Sequence, residues 1–144
     1  MATTSRRRHL SADPAAVWRV VADPHHLPRW WPGVIRVEGV DATRFTEVVP
    51  TKRGKPVRLD FRVSESTPHE RRTWTQLLPG SPFERLLDEW RTTVILVADD
   101  GGTLVTIEEV QQLRGSFRLG WLLQRRPARR RLDQALRRLA ELVG

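Results

Sequence analysis

The chain has 144 residues, a formal net charge of +8 and no cysteine. This length suits one hydrophobic core, so a single domain spanning residues 1–144 is expected. Without cysteine there are no disulfides, thiolate nucleophiles or cysteine-based zinc sites, and without tyrosine there is no phenolic proton donor.

The N-terminal "MATTSRRRHLSADP" has basic residues with no apolar run behind them, unlike a secretory signal. No later stretch reaches the eighteen or so apolar residues of a transmembrane helix, so a cytoplasmic location without stable membrane insertion is expected. "SRRRHL" reads as a short polar strand. Asp13 and Pro14 then start a helix: the aspartate can cap the first amides, and proline costs nothing where its N–H would go unused. Val17, Val20 and Val21, with Trp18 beside them, supply its apolar face. Asp23-Pro24 ends it. "HHLPRWW" follows as a second short helix or turn, closed by Pro32-Gly33.

The period then changes from 3.6 to 2. "VIRVEGV", "RFTEVV" and "VRLDFRVS" alternate, with Val57, Leu59, Phe61 and Val63 on one face and Arg58, Asp60, Arg62 and Ser64 on the other. "RRTWTQLL" is next, and two long strand candidates, "LLDEWRTTVILVA" and "TLVTIEEVQQL", are joined by Asp99-Asp100-Gly101-Gly102, a hairpin turn signal. The last segment returns to helical spacing. Ala128, Leu132, Ala135, Leu136, Leu139 and Val143 form one stripe, Arg130, Asp133, Arg137 and Glu141 lie opposite, and Pro127 marks a kink or fresh start. A curved sheet with one apolar face needs a cover, and this helix supplies it across the concave side. One helix cannot fill the concavity of a seven-stranded sheet, so a cavity is a physical expectation.

The positive charge is local. Residues 114–144 carry nine arginines against Asp133 and Glu141, while the rest of the chain is nearly balanced. That run has no interleaved aromatics, so no nucleic-acid partner is expected. A basic helix with an apolar stripe also fits a membrane surface or an acidic partner. The competing expectation is that the stripe packs on the sheet and the arginines stay solvated, with Asp133 near Arg129 or Arg137 at helical spacing.

Few residues carry chemical signals. His25-His26 and His69-Glu70 lack a second ligand pair, so no metal site is expected and no cofactor is implied. In Glu108-Glu109 the alternation sends one carboxylate to each face. Val105 and Ile107 share the phase of Glu109, which makes it the preferred inward residue. A carboxyl buried beside apolar walls could act as a general acid or base, so Glu109 and Glu108 are the candidate proton-transfer residues. Asp88 and Gln76 are further candidate polar groups of a cavity.

"DPAAVWRVVADPHHLPRWWPGVIRVEGVD" resembles the opening of the START-like, helix-grip (SRPBCC) superfamily, in particular its polyketide cyclase/dehydrase and lipid-transport branch. The shared pattern is an Asp-Pro-capped helix containing tryptophan, then Asp-Pro, Trp-Pro and a valine-rich strand; the long hairpin and C-terminal helix match too. The resemblance implies an α+β helix-grip fold: a curved seven-stranded antiparallel sheet around a long C-terminal helix, with two short helices after the first strand. It implies a hydrophobic, polyketide- or lipid-like ligand between sheet and helix, near Trp30, Trp31, Phe61, Trp74, Trp90, Phe117 and Trp121. Cyclisation or dehydration of such a ligand, and its non-catalytic carriage or sensing, are both open, as is a monomer or a homodimer. Of the adjacent tryptophans, one is expected under the small helices and the other at the cavity.

Overall fold

The two Asp-Pro signals act where they stand. In the computed structural model, which describes residues 2–115 and 120–144 (side chains of 120–126 excepted), the Asp13 carboxylate accepts from the Ala16 amide at 2.8 Å. That starts α1, Pro14–Val21, which buries Val17 and Val21. Asp23 repeats the device on the His25 amide at 3.0 Å, opening a single 3-10 turn, Pro24–His26, that runs into α2, Leu27–Trp30. Each cap satisfies an amide that the helix start leaves without a partner.

Seven strands follow the expected alternation: β1 Ala2–Leu10, β2 Arg36–Glu38, β3 Arg44–Val49, β4 Val57–Thr67, β5 Arg71–Gln76, β6 Leu87–Asp99 and β7 Gly102–Leu113. They form one antiparallel sheet in the order β1-β7-β6-β5-β4-β3-β2. β1 therefore joins the far end of the chain, and the two short helices bridge from it to the opposite edge at β2. Shifts of register between Val63 and Glu65 and between Leu87 and Glu89 interrupt the pairing, as bulges do where a sheet bends.

The β6–β7 hairpin turns on Asp100 and Gly101, whose φ angles of 46° and 79° are both left-handed. Two successive positive φ values match the twist of the flanking strands, which is why Asp-Gly is favoured there. Gly102 has a different reason to be glycine. A Cβ at that position would lie 2.1 Å from the Leu10 carbonyl oxygen, because β1 and β7 close together at this end. Gly102→Ala should therefore destabilise the protein by roughly 2 kcal/mol or more, as overpacking against backbone does. Urea unfolding followed by tryptophan emission measures it; an unchanged midpoint would mean that the strand ends separate freely.

The cover is α3, Gly120–Val143. Ala128, Leu132, Ala135, Leu136 and Leu139 are buried and Val143 is partly buried, while Arg130, Asp133, Arg137 and Glu141 are exposed. The helix runs through Pro127, so the fresh start expected there does not occur. Asp133 also departs from expectation. Its partner is Arg6 of β1, Nε to Oδ1 at 2.7 Å, and not an arginine one turn away on its own helix. The helix lies against β1, which puts Arg6 across from Asp133. Both side chains are about half exposed, so the pair contributes little to stability. The apolar stripe of the described part of α3 is buried on the sheet, and a helix cannot bury one stripe twice. No helix among the described residues is long and apolar enough to cross a membrane.

Candidate functional site

Strand register assembles the site. Thr92 on β6 pairs with Glu109 on β7 and with Trp74 on β5, so these three side chains stand in one row across the sheet. One strand pair further along, Glu47 on β3 faces Leu59 on β4, beside the pair Phe45 and Phe61. All of these except Phe45 line a cavity of about 260 Å³ under α3, together with Trp31, Val49, Phe83, Trp90 and Arg131. The aromatic residues of the wall and of the core behind it form a continuous cluster. Trp30 meets Trp31 edge-on at 5.5 Å, Trp31 meets Trp74 at 5.7 Å, and Phe45 bridges Trp74 to Phe61, on which it stacks at 5.3 Å. Phe83 and Trp90 form a second edge-on pair at 5.4 Å.

The adjacent tryptophans divide. Trp30 ends α2 and is fully buried in the core, outside the cavity lining; Trp31, the residue after the helix, turns onto the cavity wall. The backbone changes at that point from helical to extended, which sends successive side chains in different directions. Phe61, Trp74 and Trp90 line the cavity as well. Phe117 and the Trp121 side chain lie outside the described residues.

Among the described residues, the polar side chains of the lining are Glu47, Glu109, Thr92 and Arg131. Glu109 is 2% exposed, and its Oε1 accepts from Arg131 Nη2 of α3 and from Gln111 Nε2 at 3.2 Å. Its Oε2 is buried without a hydrogen-bond partner among the described residues. Glu47 is 4% exposed and hydrogen-bonds to no described residue. Burial pushes its carboxyl up to about 8, with Arg131 pulling weakly the other way. At neutral pH Glu47 is therefore largely protonated, a neutral acid in an apolar wall.

Glu108 lies on the outer face of the sheet with Ser64, Thr73 and Thr93, as strand alternation requires when Glu109 points inward. Asp88 is exposed and pairs with Arg114 at 2.7 Å, so it is no cavity group. Gln76 is 3% exposed, yet it stands outside the cavity lining, with neither amide atom partnered among the described residues. His25 and His26 both turn toward Asp23, and His69 lies edge-on to Trp18.

Glu47 and Arg131 are the residues that sequence reasoning missed. A signal for Glu47 existed: in "RFTEVV" it shares the phase of Phe45 and Val49, a carboxyl on the apolar side of a strand. Arg131 gave none, being one of nine arginines in its segment.

The family model for polyketide cyclase / dehydrase and lipid transport matches residues 1–144. No curated protein sequence matches the chain. Among solved structures, protein CV1439 from Chromobacterium violaceum is 25% identical with a TM-score of 0.74, over 98% of this chain and 96% of that one. TTHA0849 from Thermus thermophilus is 20% identical with a TM-score of 0.75, over 99% and 97%. The di-domain ARO/CYC StfQ from the steffimycin biosynthetic pathway is 13% identical with a TM-score of 0.77; the match covers 98% of this chain and half of StfQ. At such identities the likeness to the last two is one of fold.

Proposed function

The chain belongs to the polyketide cyclase / dehydrase and lipid transport family, and on that premise we propose that it binds a small hydrophobic molecule, polyketide- or lipid-like, in the cavity between the sheet and α3. One observation carries this reading: the unfilled part of the core is walled by Trp31, Phe61, Trp74 and Trp90 and holds a few convergent polar side chains. Apolar walls with a small number of placed polar groups are the usual make-up of a ligand pocket. The volume of about 260 Å³ suits a compact ring system or a short chain better than a long acyl tail. The proton-transfer role expected of Glu109 suits Glu47 better, because Glu109 already accepts from Arg131 and Gln111 while Glu47 holds a proton with no described acceptor.

Intrinsic fluorescence tests the binding directly. With six tryptophans and no tyrosine, emission is purely indole, and among the described residues Trp31, Trp74 and Trp90 line the cavity. Neutral N-phenyl-1-naphthylamine should bind saturably and quench that emission by energy transfer. Leu59→Trp, which fills the cavity from β4, should abolish the effect while the fold, followed by circular dichroism, persists. Binding that survives Leu59→Trp would place the probe elsewhere and remove the reading.

A further inference from the structure

The cavity holds a buried acceptor, Glu109 Oε2, that no described residue donates to. Glu47, itself almost wholly buried, lines the same cavity and has no hydrogen bond to a described residue. A buried acceptor such as Glu109 Oε2 costs free energy until something donates to it. Among the described residues, the charges that face Glu47 are Glu109 from β7 and Arg131 from α3; β4, β5 and β6 bring only Leu59, Phe61, Trp74, Trp90 and Thr92 to the lining. With both carboxyls ionised, the described lining holds two negative charges against one guanidinium, which Glu109 already engages. The walls are indole and phenyl faces, which attract cations through their quadrupoles.

We propose that the cavity selects a hydrophobic molecule carrying a protonated amine, with the ammonium on Glu47 and Glu109 Oε2 and the carbon body against Trp31, Trp74 and Trp90. The inference rests on the hydrophobic-ligand reading and sharpens it to a charge type. An ammonium donates to Glu109 Oε2 and offsets the second negative charge that appears when Glu47 ionises. A neutral alcohol supplies a single donor and no charge. A carboxylate brings a negative charge beside Glu109 and no donor for its free oxygen. Binding breaks no covalent bond, but it requires Glu47 to release its proton to solvent as the ammonium takes that proton's place.

The test compares three probes of similar body: 2-phenylethylamine, 2-phenylethanol and 3-phenylpropanoate, titrated by calorimetry at pH 7. The ammonium should bind at least about tenfold more tightly than the alcohol, and the carboxylate most weakly. Repeating the amine titration in buffers of different ionisation enthalpy should show net proton release on binding. Glu47→Gln, checked for folding by circular dichroism, should erase both the preference for the amine and the proton release while the alcohol still binds. Equal or tighter binding of the alcohol or the carboxylate would overturn the charge selection and leave hydrophobic binding intact. If none of the three binds and N-phenyl-1-naphthylamine also fails, the cavity reading falls with it; if only the naphthylamine binds, the amine selection alone is overturned.

Discussion

Raising the pH from 5 to 8 should cost the folded protein roughly 3–4 kcal/mol through Glu47 alone, about 1.4 kcal/mol for each unit between its unfolded and folded ionisation. The sign follows from proton counts. An unfolded glutamate ionises near 4.5, whereas in the native state burial holds this carboxyl protonated up to about 8. Between those values the native state carries a proton that the unfolded chain has lost, so stability falls as pH rises. Above about 8 both states are ionised and the loss levels off; below 4.5 both are protonated and it vanishes. Glu47→Gln keeps the shape and removes the titration. Its urea midpoint should match that of the parent near pH 5 and exceed it clearly at pH 8. Parallel profiles for the two proteins would show that water or a counter-charge already stabilises the Glu47 anion.

Arg131→Met should destabilise the protein by about 3 kcal/mol at pH 7, the scale seen when one partner of a buried ion pair is removed. The reason is what remains. Glu109 is almost wholly buried and one of its oxygens is already unpartnered among the described residues, so losing Arg131 strands a charge in an apolar wall. The Arg131 side chain is itself partly exposed, which keeps the effect at the lower end for such pairs. Adding Glu109→Gln should restore most of the loss, because the second change removes the orphaned charge. The single variant should also depend more steeply on pH, since Arg131 draws Glu47 back toward ionisation. Thermal unfolding of the two single variants and the double variant measures the coupling; strictly additive losses would mean that the pair contributes only packing.

Residue order alone was enough for the elements and the architecture. Aspartate and proline at 13–14 and 23–24 act locally, through amides two or three residues away, and so does the Asp-Gly turn at 100–101. The period of the apolar residues likewise named the faces of β4 and of α3, because a side chain's direction along a regular element depends only on its neighbours in sequence. Glu109 could be placed inward and Glu108 outward by the same rule.

What the chain could not disclose by itself concerns meetings between distant elements. That Trp31 and not Trp30 reaches the cavity depends on where α2 ends, one residue's difference that local propensity does not resolve. Asp133 satisfies helical spacing with three arginines of its own helix, yet pairs with Arg6, more than a hundred residues away. Glu47, Glu109 and Arg131 are spread over more than eighty positions in the chain and come together only because β3, β7 and α3 border one unfilled volume. Apolar periodicity determines which side of a strand is buried. Whether the buried side meets packing, a counter-charge or an empty cavity is decided by the element packed opposite, and that is a property of the tertiary structure.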